Sequence, residues 1–177
     1  PQRRAELDDG ATLWGIDMPV VELLRANGVA TALGHLGPDP LRDDWDSVEA
    51  LRRLDARPDR TFAGALLDQR NIAGLGNLWV NELAFLSGVH PFDPIATADL
   101  ESLVARAARA LRFSATVPGM YQVTTGTARR GSAHWVAGRA GKPCLRCGTR
   151  ILVRAEVAGD SEQRRTWWCP ACQPRRS

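Results

Sequence analysis

Four cysteines constrain this chain more than any other feature. Cys144, Cys147, Cys169 and Cys172 form two Cys-x-x-Cys pairs separated by 21 residues, close to the spacing of a four-thiolate zinc ribbon. A Cys-x-x-Cys turn is too short for an unstrained disulfide in most backbone conformations, whereas two thiolates that close suit neighbouring corners of one tetrahedral ion. Gly148 supplies the tight knuckle after the first pair. Between the pairs, Ile151-Leu152-Val153 and Thr166-Trp167-Trp168 have β character, and Gly159-Asp160 reads as a turn. The expectation is a β-hairpin clamped at its base by one Zn2+, with Gln163, Arg164 and Arg165 near its tip. Four thiolates leave no open coordination position, so such a zinc is structural. A disulfide pair or a redox site is the competing reading.

Charge singles out the same end of the chain. The formal net charge of the 177 residues is +3, but residues 129–177 carry eleven basic and three acidic side chains, and the preceding 128 residues are net acidic. The cysteine segment is therefore the end that faces a polyanion. Lys142 is the single lysine among the 23 basic residues. Arginine's planar fork suits phosphates and base edges, although a compositional bias of the source genome produces the same enrichment. Arg164 and Arg165 read equally well as groove- or phosphate-contacting residues and as solvated turn residues.

A second stretch, from Leu66 to Asn77, places two glycines between apolar segments that form helices well. Gly74 and Gly76 allow positive φ and close approach of backbone amides to a ligand, and Asn77 stands where a helix N-cap belongs. Free amides under a positive helix dipole make a phosphate seat. Plain turn punctuation is the other reading of Gly-x-Gly between helices.

The remaining pattern surrounds these two features. Residues 3–16 predict a β-hairpin about Asp8-Asp9-Gly10. Two strands are marginal alone, so the hairpin is expected to belong to a larger sheet whose earlier strands precede Pro1. Residues 34–46 read as a linker. Four short helices are expected after it: Val48–Leu54 capped by Ser47, Phe62–Asp68 capped by Thr61, Leu78–Ser87 capped by Asn77, and one from Thr97 or Asp99 to about Phe113. The last carries Leu100, Leu103, Val104, Ala107 and Leu111 on one face. Trp79, Phe85, Phe92 and Phe113 are assigned to the core, and His35 and His90 to structural roles. His134 lies among arginines and could face a phosphate. Residues 114–131 read as loop. No apolar run reaches membrane-spanning length, and no apolar segment follows Pro1-Gln2-Arg3-Arg4.

Taken together, the segment Phe62-Ala-Gly-Ala-Leu-Leu-Asp-Gln-Arg-Asn-Ile-Ala-Gly-Leu-Gly-Asn77 and the ending from Gly141 to Gln173 resemble the helix-two-turn-helix signature and the zinc finger of the bacterial formamidopyrimidine-DNA glycosylase and endonuclease VIII family. The resemblance runs from about residue 11 to residue 173. Phe62-Ala63-Gly64 stands where the formamidopyrimidine branch has a lysine, which leans the chain toward the endonuclease VIII branch. The implied fold is mainly α with small β elements. It comprises a remnant of a β-sandwich (1–33), a helix-two-turn-helix DNA-binding domain (34–131) and a four-cysteine zinc-finger hairpin (132–177).

By the same resemblance, Asn77 and the amides of the Gly74–Gly76 turn hold phosphate beside a lesion, and Arg164, with Arg165 next to it, reaches the DNA near the damaged nucleotide. The implied activity is excision of oxidised bases followed by AP lyase elimination, with the base flipped out of the helix. Family enzymes use an N-terminal proline amine beside a glutamate as nucleophile. Here Gln2 follows Pro1, and the next residues match the end of the family's first domain. No catalytic residue is therefore expected among these 177, and the chain alone is expected to bind damaged or abasic duplex DNA without cutting it. The implied setting is the bacterial cytoplasm, beside the nucleoid. A monomer is expected, with the exposed N-terminal hairpin as a pairing edge. The alternative is a non-enzymatic zinc-ribbon nucleic-acid-binding accessory protein.

Overall fold

The computed structural model describes residues 3–15, 21–129, 131–155 and 164–176. The chain divides into two compact units, Pro1–His35 and Leu36–Ser177. In the first, β1 (Arg3–Glu6) and β2 (Thr12–Gly15) pair antiparallel, with Arg4 opposite Trp14. The Asp-Gly turn forms as expected: Gly10 takes φ +82° and the Leu7 amide reaches Ala11 O at 2.8 Å. Helix α1 (Ala26–Leu33) follows, a helix that the sequence reading did not include. It has no side-chain cap and no buried residue, so neither the capping signal nor an apolar stripe marks it.

The second unit contains α2 (Ser47–Asp55), α3 (Phe62–Leu67), α4 (Asn77–Ser87), a 3-10 turn (Ile95–Thr97), α5 (Leu100–Thr116), β3 (Leu152–Arg154) and β4 (Thr166–Trp168). Asp46 caps α2, its carboxylate accepting from Val48 N and Glu49 N at 2.9 Å. The cap expected at Ser47 is therefore one residue earlier, where a charged acceptor also meets the helix dipole. Thr61 caps α3 through Gly64 N, and Asp99 caps α5 through Ser102 N. Gly88, at φ +65°, closes α4.

The main core lies between these helices and includes Leu54, Phe62, Leu66, Leu75, Leu83, Ile95 and Leu103. On α5 the buried stripe is Leu103, Val104, Ala107 and Leu111, continued by Ser114, while Leu100 is only half-buried. Phe113, assigned to the core from sequence, is 41% exposed. The helix continues past it to Thr116, and two positions beyond Leu111 a side chain lies on the far side of a 3.6-residue turn.

The β3–β4 hairpin pairs Leu152 with Trp168 and Arg154 with Thr166. The turn expected at Gly159-Asp160, with Gln163, falls outside the described residues. A second core cluster joins the hairpin to the helices: Phe85 of α4 packs with Val136, Cys144, Ile151 and Cys169, flanked by Trp135 and Trp167.

Helix α4 is buried on every side from Trp79 to Phe85. Its Glu82 is fully buried, and the carboxylate accepts from Trp135 N at 2.8 Å, Val136 N at 2.9 Å and Ala137 N at 2.8 Å, and from the Thr124 hydroxyl. These bonds staple the segment before the cysteines onto α4. Removing the carboxylate strands those donors away from water, at about 3 kcal/mol or more. Glu82→Ala is therefore expected to lower the thermal unfolding midpoint by about 10 °C. Glu82→Gln, which turns an NH2 toward amide donors, is expected to do nearly the same. Circular dichroism melts measure both, and an unchanged midpoint would show that the staple is dispensable.

Candidate nucleic-acid interface and metal centre

The turn between α3 and α4 is built by its own polar side chains. Gln69 clamps it in both directions: Oε1 accepts from Gly74 N at 2.8 Å, and Nε2 donates to Leu75 O at 2.8 Å. Asn71 donates to Ala65 O, and the Gly37 amide donates to Gln69 O. A Cβ at Gly37 would lie 2.6 Å from Arg70 O, so only glycine permits that approach. Burial works against the charge of Asp68, yet hydrogen bonds from Arg70 and Arg60 hold its carboxyl well below the usual carboxylate range. This anchor is at full strength above the unfolded carboxylate range and is lost only in strong acid.

Two details differ from the sequence reading. Gly74 takes φ +87°, but Gly76 has φ −80° and needs no special freedom. Both glycine amides are occupied, Gly74 N by Gln69 and Gly76 N by Gly74 O at 3.1 Å. Gly76, and not Asn77, is the N-cap residue, and no side chain caps the helix. What this turn offers a ligand is therefore the uncapped first turn of α4, whose amides have no intrahelical partner, with the Asn77 carboxamide beside it. A cavity of about 290 Å³ opens here, lined by Gly74, Gly76, Asn77, Tyr121 and Gln122 among others. Gln122 has φ +54° and is held through Ser114 Oγ and by His134 Nε2 on its carbonyl. His134 thus supports the backbone of Gln122 through one ring nitrogen. His35 is bonded to Ala32 O, and His90 packs edge-on against Trp168, with burial pushing its pKa down.

The four cysteines converge. Their sulfurs all lie within 4.8 Å of one another, with Cys147 to Cys169 and Cys147 to Cys172 at 3.5 Å and Cys144 to Cys172 at 4.0 Å. Thiolates at about 2.3 Å from one tetrahedral ion stand about 3.8 Å apart, so the set fits a single ion. Arg146 N points at Cys144 Sγ, and Gly148, at φ +78°, returns its amide to Cys144 O. Gln173 locks the second pair, accepting from Cys169 N and donating to Val89 O, both at 2.9 Å. Cys147 is exposed, and hydrogen bonds from Thr149 pull its thiol down to about 6, while burial pushes Cys172 up to about 12.

The turn and the cysteine-bearing hairpin meet at α4. Asn77 Nδ2 donates to Arg165 O at 2.9 Å across 88 positions of sequence, and Asn81 Oδ1 accepts from Trp167 N at 2.7 Å. The structure therefore brings Asn77, and with it the turn of Gly74 and Gly76, beside the segment Arg164-Arg165 that leads into β4, the first residue half-buried and the second exposed. Asn81 and Glu82 were absent from the sequence reading. Their signal was present: two polar residues amid an apolar run in a helix with no polar face must be buried and paired.

Comparisons with known proteins agree with this arrangement. Residues 36–115 match the formamidopyrimidine-DNA glycosylase H2TH domain. Endonuclease 8 2 of Mycobacterium tuberculosis is 44% identical over 163 residues, covering 90% of this chain and 60% of that protein. The Mycolicibacterium smegmatis DNA-(apurinic or apyrimidinic site) lyase Nei2 is 43% identical, over 90% of this chain and 61% of its own length. Among solved structures, the Lactococcus lactis Fpg complex with abasic-site-containing DNA superposes with a TM-score of 0.67 at 26% identity, over 95% of this chain and 60% of that one. The chain thus spans about 60% of the length of the curated relatives it matches. With the helical turn, the converging cysteines and these similarities in one order along the sequence, the chain belongs to the formamidopyrimidine-DNA glycosylase and endonuclease VIII family.

Proposed function

We propose that these 177 residues carry the DNA-binding portion of a base-excision-repair DNA glycosylase/AP lyase of the endonuclease VIII type, acting on oxidised bases. The observation that carries the proposal is the bond from Asn77 to Arg165 O. It makes one continuous surface of an uncapped helix N-terminus and the arginine pair that leads into β4. On this surface the first turn of α4 and the Asn77 carboxamide take a backbone phosphate of damaged duplex DNA. Arg164 and Arg165 grip the backbone or groove next to it. The first unit is read as a remnant of the family's β-sandwich, and the protein as a monomer with the hairpin edge available for pairing.

The four thiolates are read as ligands of one Zn2+, which would be structural because they fill its tetrahedron. The ion would supply the folding energy of a hairpin with few buried apolar residues. Binding requires all four thiols to lose their protons, so metal affinity is expected to fall as pH is lowered.

Two measurements test the reading. Arg164→Ala is expected to weaken binding to a duplex carrying an abasic site and to lower the slope of log affinity against log salt by about one. Fluorescence anisotropy over a salt series measures this, and an unchanged isotherm would remove Arg164 from the interface. Chelating zinc is expected to change tryptophan fluorescence, since Trp135 and Trp167 pack on the cysteine cluster. Most helical circular dichroism should remain, because the main core contains no residue of the hairpin. Complete loss of the helical signal would contradict this division. Preference for abasic over undamaged duplex separates the repair reading from a general nucleic-acid-binding accessory protein, which would bind both alike.

A further inference from the structure

Asn77 can serve a phosphate only if its carboxamide presents NH2 and not oxygen, and the structure contains a chain of bonds that sets this orientation. The chain starts at β4. The Trp167 amide can only donate, and it donates to Asn81 Oδ1 at 2.7 Å. That bond fixes which way the buried Asn81 carboxamide faces. Its Nδ2 is thereby turned to Asn77, where it donates to the main-chain oxygen at 2.7 Å and to Oδ1 at 3.2 Å. With Oδ1 of Asn77 held inward, Nδ2 faces outward. One of its protons reaches Arg165 O at 2.9 Å and the other is left for a ligand.

We infer that Asn81 is a positioning residue which, through its bond to the Trp167 amide, orients the Asn77 carboxamide to donate to a DNA phosphate and makes that contact depend on the hairpin. The inference rests on the DNA-binding reading of this surface. It also predicts how the two ends of the interface communicate. Anything that displaces β4, loss of the metal included, frees Asn81 and with it Asn77. No charge moves in this relay, so it acts on affinity and leaves the salt slope alone, unlike a substitution of Arg164.

The test uses the full zinc-loaded chain and a short fluorescein-labelled duplex with a stable abasic-site analogue. Asn81→Asp keeps an acceptor for Trp167 N but offers no donor to Asn77, whose NH2 then turns inward. Expected is a loss of affinity of about tenfold, the effect of one hydrogen bond to a charged group; the salt slope is read in Asn77→Ala, which adds no charge, and is expected to be unchanged. Asn77→Ala should lose as much, and the double variant no more than either alone. Independent losses that multiply in the double variant, or full affinity in Asn81→Asp, would overturn the inference.

Zinc content and melting midpoint are measured alongside. If Asn81→Asp loses metal or fold, Asn81→Ser is read in its place by the same cycle. In the unsubstituted chain, a through-hydrogen-bond coupling between the Trp167 amide nitrogen and the Asn81 side-chain carbonyl carbon should be seen by NMR whether or not DNA binds. Its absence would remove the first link. Failure of the unsubstituted chain to bind the duplex would instead defeat the DNA-binding reading, with the coupling still present.

Discussion

Helix α4 has no solvent-facing side over most of its length, so its polar side chains must find partners inside the protein. Glu82 does so by collecting three consecutive backbone amides, from Trp135, Val136 and Ala137, together with a threonine hydroxyl. Asn81 does so by reaching β4. These choices position the segment before the cysteines and strand β4. The irregular segment before the cysteines has little regular structure of its own. It is held by the carboxylate, which brings Trp135 onto Phe85 with ring centroids 5.3 Å apart.

The four-cysteine cluster is consequently not a free-standing knuckle. Its cysteines share a core cluster with Phe85, and Gln173 ties the second pair to Val89 just past the end of α4. A small hairpin alone cannot bury enough apolar surface to fold. Here the helices supply one wall and the four thiolates the other. The division of labour is local: the cysteine sulfurs bring the two knuckles together, and α4 sets where the hairpin strand runs.

How much of this was legible in the sequence depended on the range of the interaction. Spacing along the chain announced the cysteine tetrad, because ligation demands two short-range pairs. The hairpin at Gly10, the caps at Thr61 and Asp99 and the stripe on α5 were legible for the same reason, since each rests on neighbours within a few residues. Asp46 and Ser47 compete for one cap, and only backbone geometry decides between them. The turn between α3 and α4 was legible along the chain, but which of its amides stay free was not. That the glycine amides are spent on Gln69 and Gly74 O follows from the folded turn and from no local pattern. The bonds from Asn77 and Asn81 to residues more than eighty positions away lie beyond any periodicity argument. Their trace in the sequence was indirect, as unexplained polarity in an apolar helix.

The basic excess of residues 129–177 also changes meaning in three dimensions. Arg139 is buried, its guanidinium given to Gly131 O and Pro143 O. Arg146 lies 4.3 Å above the Phe85 ring and 5.5 Å from Trp135, and Arg154 stacks 5.5 Å from Phe92. Arg175 pairs with the buried Asp93 at 3.1 Å. A guanidinium can cover an aromatic face or satisfy carbonyls while keeping its charge. These arginines therefore keep their charge while serving the packing of the segment, Arg139 and Arg175 through their donors and Arg146 and Arg154 through the face of the guanidinium. A count of charge along the sequence cannot tell which of these guanidinium groups are spent inside the fold.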